Sequence, residues 1–330
     1  LEFFSKSIGV DYPFEKYAQV VAWDFVYGGM ENTSSTTQTE YTLHPESVEK
    51  DYSSEYLVAH ELAHQWFGDY LTCKDWRHAW LNEGFATYCE SLWHEFEHGH
   101  DEHLYQIFEN EKSYKDEDSS AYRRPVVTNV YMRPSDIFDR HLYEKGGRVL
   151  HMLRRLVGDE QWWKAINLYV SRNAMKTVET VDLQRVFEEV TGRSLDWYFE
   201  QWIYKGGHPE VKATTQWEES QKVLKVTLNQ KQKVTDLTPL FRFTTKLKVV
   251  TSAGEQIHDL DVSGEDHSFA FTCTEKPKFI SLNVENSILG SWDFNPGREF
   301  LLNQLSLDKD IMGRIHAAKT LAKDHSRVVV

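Results

Sequence analysis

Two histidines one helical turn apart, with a glutamate between them, form the sequence pattern best suited to chemistry. Residues 60–64 read His-Glu-Leu-Ala-His and match the HExxH pattern. On a helix, residues four apart share one face, so both imidazoles point the same way and the Glu61 carboxylate lies beside them. This arrangement suits a tetrahedral zinc ion that keeps one position open.

The same pattern occurs twice, and counting residues does not separate the two copies. Residues 94–98 read His-Glu-Phe-Glu-His, and each copy has a glutamate nineteen positions after its last histidine, Glu83 for the first and Glu117 for the second. In a chain with 15 histidines, a match to HExxH has little weight by itself.

Helical geometry favours the first copy over the second. The segment 82–98 has an apolar stripe formed by Phe85, Cys89, Leu92 and Phe96. His94 and His98 fall on the opposite side, where we expect them to face water, and Glu117 lies in a charged run that we expect to be solvated. The helix of the first copy is apolar almost all round, so we expect it to be buried in the protein interior. Its buried histidines and glutamate then need polar partners, which a metal ion would provide.

The elements that would position these residues change in type along the chain. Apolar residues recur every three or four positions up to about residue 204, which predicts helices. The predicted helices cover residues 53–67, 82–98, 136–157, 159–172, 181–191 and 194–204. After Lys205–Pro209, short alternating runs predict strands of a β-sandwich, over residues 211–217, 223–229, 241–250, 257–262, 269–273 and 279–284. The helical period returns from about Asn303.

Composition limits the class of protein. A chain of 330 residues with 40% hydrophobic residues predicts about two globular domains. The net charge of −14 disfavours binding to nucleic acid. The sequence has no apolar run of membrane-spanning length and starts without a leader pattern, so we expect a soluble fragment of a longer chain without a membrane partner. The three cysteines form no disulfide pattern, which favours free thiols and a cytoplasmic location.

Three motifs in order resemble the M1 family of zinc aminopeptidases, the gluzincins. The first is Gly-Gly-Met-Glu-Asn at residues 28–32, the second is HExxH at residues 60–64, and the third is Asn-Glu-Gly-Phe-Ala at residues 82–86. Eighteen residues separate His64 from Glu83, as in that family. The resemblance is dense from Tyr12 to Tyr204, and beyond that only the order of domains is similar.

The resemblance implies an α+β fold in three parts. The expected parts are a thermolysin-like, mainly helical zinc-peptidase catalytic domain (1–205), a small β-sandwich (210–297) and the start of a truncated, HEAT-like helical domain (298–330). The family's preceding β-rich domain and most of its helical domain are missing from this chain. We therefore expect the substrate side-chain pocket to draw on parts outside it.

The resemblance also assigns roles to individual residues. His60, His64 and Glu83 would bind one Zn²⁺ per chain, and Glu61 would be the general base that takes a proton from water and passes it to the leaving amine. Tyr143, in a Tyr-x-Lys-Gly segment, would donate to the oxyanion of the tetrahedral intermediate. Lys145 is expected to have a structural pairing role.

The motif at residues 28–32 is the expected substrate-binding segment. Gly28, Gly29, Met30, Glu31 and Asn32 would line the bound peptide, with the glycines allowing its backbone to lie alongside a strand. Glu31 would meet the free α-ammonium, because a carboxylate in a cleft needs a cation. The implied activity is removal of N-terminal residues from peptides that have a free N-terminus.

Two other functions remain open at this stage, and the oligomeric state is not predicted. A zinc epoxide hydrolase of the bifunctional type is one, since Gly28-Gly29 in place of Gly-Ala also occurs in such members. A non-catalytic scaffold is the other, although the complete set of ligands with Glu61 and Tyr143 argues against it.

Overall fold

The structure, a computed structural model, describes residues 1–48 and 51–323, and these form two units that divide between Gly206 and Gly207. Residues 49 and 50 of the expected catalytic domain lie outside the described residues, and so do residues 324–330 of the expected helical domain. Each unit is described by itself below. Together they form a mixed α and β fold.

Helices make up most of the first unit. They are α1 (Glu2–Ile8), α2 (Glu55–Ala63), α3 (Trp80–His98), α4 (His100–Ser120), α5 (Glu144–Val157), α6 (Asp159–Arg172), α7 (Thr180–Thr191) and α8 (Asp196–Trp202). Large aromatic side chains fill the interior, among them Trp66, Trp80, Trp162 and Trp202. Burial of this much apolar surface is the main stabilising contribution to the unit.

Helix α3 packs against both α2 and α5, and its contact with α5 depends on glycine. A Cβ atom placed on Gly84 would lie 3.1 Å from the backbone of Gly146, closer than nine in ten real Cβ contacts. The lack of side chains therefore lets the two helix backbones approach each other. This crossing holds Glu83, at the start of α3, close to Tyr143, just before α5.

Two small sheets complete the first unit. Strands β1 (Ala18–Ala22), β2 (Gly29–Met30) and β3 (Ser35–Thr39) form a sheet in the order β1-β3-β2, with β3 parallel to β1 and antiparallel to β2. Strands β4 (Leu71–Cys73) and β5 (Lys176–Val178) pair in parallel. Strand β2 is thus one of the two edge strands of its sheet.

The second unit contains strands followed by two helices. The strands are β6 (Glu210–Glu218), β7 (Val223–Gln230), β8 (Phe243–Thr251), β9 (Gly254–Val262), β10 (Asp266–Thr272), β11 (Phe279–Leu282) and β12 (Ser291–Phe294). They form a four-stranded sheet in the order β10-β7-β6-β12 and a three-stranded sheet in the order β11-β8-β9. In β7, buried Leu224, Val226 and Leu228 alternate with exposed residues, as expected for a half-buried strand. Helices α9 (Arg298–Leu307) and α10 (Ile311–Ala322) follow.

Two predicted helices are shorter than the sequence pattern indicates. Helix α2 ends at Ala63 instead of residue 67, because the next N–H groups, of Gln65 and Trp66, bond to carbonyls three residues back and tighten the chain. Helix α5 begins at Glu144 instead of residue 136, because the Asp139 carboxylate accepts the N–H groups of His141 and Leu142 in a separate turn. Helix α4 covers residues for which the sequence pattern predicts no helix.

Among the helices of residues 1–48 and 51–323, none combines the length and the apolar composition that crossing a membrane requires.

Candidate active site

Three side chains from α2 and α3 converge on one point. His60 Nε2 lies 3.1 Å from His64 Nε2, and the Glu83 Oε2 atom lies 3.3 Å from the first nitrogen and 3.1 Å from the second. Four ligands at about 2.0–2.1 Å around tetrahedral zinc would lie about 3.3 Å apart. The spacing of the three atoms therefore fits three corners of such a site.

The hydrogen bonds of both imidazoles leave a lone pair on each converging nitrogen. His60 Nδ1 donates to Glu90 Oε1 at 2.7 Å, and His64 Nδ1 donates to the Phe67 carbonyl at 3.0 Å. With these nitrogens protonated, the two Nε2 atoms are the basic ones. Two lone pairs and a carboxylate oxygen then face one another in a buried place, which is the donor set that zinc prefers.

The charges of these residues favour a cation among them. Burial alone would lower the pKa of His64 and raise that of Glu83, because it disfavours both charged forms. The attraction between the two groups outweighs burial, raising the pKa of His64 to about 9 and lowering that of Glu83 to about 2. Without a metal, this positive charge is a proton on His64 Nε2. A bound metal would replace that proton and take up the Nε2 lone pair.

Glu61 lies beside this group in a form suited to accepting a proton. Its carboxylate is buried, and among the described residues its Oε2 atom has no hydrogen-bond partner. Burial is the main cause that raises the pKa of Glu61 to about 7. A general base is most effective near that value at neutral pH. The backbone of Gly29 lies against this carboxylate so closely that a Cβ there would overlap with it.

The segment 28–32 contains the edge strand β2, and its first four residues run along the same cavity. A carboxylate oxygen of Glu31 lies within 4.8 Å of both a Glu61 oxygen and a His64 nitrogen. Gly28, Gly29, Met30 and Glu31 line the cavity. Asn32 does not line it, because its side chain instead accepts a hydrogen bond from Thr37 Oγ1 at 2.7 Å.

Tyr143 also lines the cavity. Its ring stacks on His60 with the ring centres 6.0 Å apart. Burial, followed by the nearby Glu83, Glu31 and Glu61 carboxylates, holds the pKa of Tyr143 far above its usual range. The phenol is therefore a hydrogen-bond donor at neutral pH.

A buried ion pair builds the turn that holds Tyr143. The Tyr143 backbone N–H donates to the Asp139 carbonyl at 3.1 Å. The Asp139 carboxylate takes two bonds from the Arg124 guanidinium, at 2.7 and 2.5 Å. Arg124 also donates to the carbonyls of Val126 and Ile137, so it fixes the preceding loop to the same turn.

These side chains line one cavity of about 1050 Å³ within the first unit. Its walls also carry apolar side chains, among them Tyr27, Leu57, Trp76 and Phe138. A cleft with apolar walls and a few convergent polar groups is typical of a small-molecule or peptide site.

The second HExxH copy has a different environment. His98 is exposed, as expected, and its ring bonds to Glu55 at 2.6 Å. His94 does not face water as expected, because both of its ring nitrogens are buried, and neither has a hydrogen-bond partner in the part of the chain that the structure describes. Glu117 lies in the last turn of α4 and groups with Asp139 and His141 instead of with His94 and His98.

Glu90 is the site residue that the sequence analysis missed. It is buried and holds His60 through the 2.7 Å bond described above. A signal was available, because Glu90 follows Glu83 by seven residues and so lies on the same face of α3. Such partners fix the orientation of a metal-binding imidazole.

Residues 1–202 match the family model described as Peptidase family M1 domain. Among curated relatives, "Aminopeptidase M1-C" of Oryza sativa subsp. japonica is 33% identical over 217 residues, covering 64% of this chain and 25% of that protein. "Aminopeptidase N" of Streptomyces lividans is 31% identical over 227 residues, covering 64% of this chain and 26% of that protein. The chain thus spans about a quarter of the length of these relatives.

A solved structure shares the fold at low sequence identity. It is the crystal structure of Legionella pneumophila aminopeptidase A in complex with aspartic acid, with a TM-score of 0.83 and 19% identity. The match covers 97% of this chain and 37% of that one.

Proposed function

The chain belongs to peptidase family M1, and from that premise we propose that it carries the catalytic centre of a zinc aminopeptidase. The reaction is hydrolysis of the first peptide bond of substrates with a free N-terminus. The convergence of His60, His64 and Glu83 beside buried Glu61, whose Oε2 atom has no hydrogen-bond partner among the described residues, is the observation that best supports it. Because the ligand set and Glu61 are intact, a catalytic role is favoured over a scaffold role.

The proposed architecture follows the same premise. Residues 1–205 form the thermolysin-like catalytic domain, residues 210–297 a β-sandwich, and residues 298–330 the start of a helical domain. The change from helices to strands after Trp202 supports the first boundary, and the return to helix at Arg298 supports the second.

The proposed metal ligands are His60, His64 and Glu83, with one Zn²⁺ per chain. A zinc ion held there would act as a Lewis acid that polarises the peptide carbonyl, and it would lower the pKa of bound water to about 7. Glu90 and the Phe67 carbonyl orient the two imidazoles. Glu61 accepts the proton of the attacking water and then delivers it to the leaving nitrogen, so it acts first as base and then as acid.

Glu31 confers the preference for a free N-terminus. Its carboxylate is half-buried and lies close to Glu61 and His64. An α-ammonium in the cavity satisfies the Glu31 carboxylate, whereas an acetylated terminus leaves it unpaired. Because the ammonium is only two bonds from the carbonyl of the first residue, Glu31 selects the first peptide bond for cleavage.

We expect Glu31→Ala to lower kcat/KM for free peptides by a factor that corresponds to about 2–5 kcal/mol, the cost of a lost charge-assisted contact. The measurement compares free and N-acetylated forms of one peptide in the full-length protein, with zinc content determined in parallel. Zinc content should not change. Equal cleavage of free and acetylated peptides at internal bonds by the unmodified protein would instead indicate an endopeptidase.

Tyr143 stabilises the carbonyl oxygen as it becomes negatively charged. We expect Tyr143→Phe, which keeps the ring on His60 but removes the donor, to lower kcat about 10²–10³-fold. Tyr169→Phe removes a buried phenol that does not line the cavity and has no hydrogen-bond partner among the described residues, so it is the control, expected to keep kcat within a few-fold. An undiminished kcat in a zinc-replete Tyr143→Phe protein would exclude this role.

A further inference from the structure

One buried amide connects the metal-binding helix to the segment that carries Glu31. Gln65 directly follows His64 and is completely buried. Its Nε2 donates to the Glu31 carbonyl at 3.1 Å, and its Oε1 accepts the Ser34 N–H at 2.7 Å. A backbone N–H only donates and a carbonyl only accepts, so these two partners fix which way the amide points.

The segment that Gln65 holds has a strained backbone. Ser34 has a φ of 63°, a left-handed conformation that is uncommon for residues other than glycine. Such conformations persist only where surrounding contacts enforce them. Three hydrogen bonds enforce it here. The Ser34 N–H donates to Gln65, and the Ser34 carbonyl accepts from the Ala18 N–H at 3.0 Å. The Ser35 N–H donates to the Asn32 carbonyl at 2.9 Å.

The backbone of Gln65 is fixed relative to the metal ligands. The Gln65 N–H donates to the Leu62 carbonyl at 3.1 Å, in the turn that ends α2. The Gln65 backbone is therefore held one residue from His64. A shift of its side-chain amide moves the Glu31 carbonyl, and with it the Glu31 carboxylate, relative to His60 and His64.

We propose that Gln65 is a positioning residue that sets the distance between the Glu31 carboxylate and the metal ligands. That distance would determine how far the bound α-ammonium lies from the metal site, and so whether the first peptide bond lies at the metal site. The proposal rests on the proposed function, in which Glu31 binds the α-ammonium. Gln65 acts on the substrate only through Glu31.

The test uses Gln65→Glu, which has nearly the same shape. Burial raises the pKa of the new carboxyl, and its protonated form would still donate to the Glu31 carbonyl, so the assay is run at a pH above that pKa. The ionised carboxylate accepts from Ser34 N but places a second acceptor against the Glu31 carbonyl, so the bond is replaced by repulsion. We expect kcat/KM for free peptides to fall about 10–100-fold, the effect of one unmet buried hydrogen bond. Zinc content should stay at that of the parent, and the preference for free over acetylated peptides should fall by the same factor.

Two further variants separate positioning from general stability. Gln201→Glu buries a carboxylate in α8, away from the cavity, and should keep the parent preference. Gln65→Met removes both polar groups at similar length and should lower the preference like Gln65→Glu, so it replaces that variant if the latter does not fold. In a Glu31→Ala background, either Gln65 change should cost less than about threefold, because its route to the substrate is already removed.

Several results would overturn the proposal. They are an unchanged preference in folded Gln65 variants, loss of zinc together with activity, additive effects of the Gln65 and Glu31 changes, and failure of both Gln65 variants to fold. Each of these results would mean that Gln65 supports the metal-binding helix or the stability of the whole fold, and does not position Glu31. A parent protein that lacks zinc, or that cleaves acetylated peptides equally well, would instead refute the proposed function, so the two failures are distinguishable.

Discussion

Glu61→Gln is expected to keep its zinc and lose about 10²–10⁴ in kcat, the usual contribution of a general base. The amide fills the same space as the carboxylate but accepts no proton from water. The Glu61 carboxylate is buried with a raised pKa, and its Oε2 atom accepts no hydrogen bond from residues 1–48 or 51–323, so it is available for proton transfer. The measurement is kcat on a free aminoacyl substrate, with zinc determined on the same sample.

The second HExxH copy offers a matched control for this change. Glu95 has the same place in that pattern, and it pairs with Arg154 at 2.9 Å away from the cavity. Glu95→Gln should therefore leave kcat within a few-fold of the parent. A zinc-replete Glu61→Gln protein with full turnover would exclude Glu61 as the base.

His60→Ala is expected to remove both zinc and activity. Without the first nitrogen, His64 and Glu83 offer two ligand atoms, fewer than the three protein ligands of known catalytic zinc sites. The paired change His94→Ala with His98→Ala should keep one zinc per chain and nearly full activity, because those rings lie outside the converging group. The reverse pattern, with zinc lost only from the His94 and His98 variant, would assign the metal to the second copy.

The pairing of His60 with His64 is predictable from sequence, because four-residue spacing on a helix fixes it. The approach of Glu83 is not a local property. It depends on the packing of α3 on α2 and on the close crossing of Gly84 with Gly146, so its prediction rested on the family resemblance. The hydrogen bonds of Glu90 and Gln65 join distant segments and could not be placed from sequence alone.

Helix α4 shows why apolar periodicity missed an entire element. Its buried face includes the polar residues Asn110, Glu111 and Asp118. Glu111 pairs with buried Arg148 at 3.2 Å, and Asp118 pairs with Arg123 at 2.6 Å. Because ion pairs replace apolar contacts there, the pattern resembles a solvated charge run. The same effect misled the expectation for Glu117.

The β1-β3-β2 sheet was missed for a different reason. Strand β2 has two residues, and β3 reads Ser-Thr-Thr-Gln-Thr, so neither presents an alternating apolar pattern. The Gly-Gly-Met-Glu-Asn motif nevertheless marked the functional segment, since glycine allows the close approach of Gly29 to Glu61. Only Asn32 among its residues turns away from the cavity.

The central claim is that His60, His64 and Glu83 bind one zinc ion, and anomalous diffraction at the zinc absorption edge tests it most directly. Crystals of the full-length protein should give one anomalous peak per chain, in contact with the two Nε2 atoms and the Glu83 carboxylate. The account would be contradicted by a zinc-supplemented crystal with no peak there, or by a peak between His94 and His98.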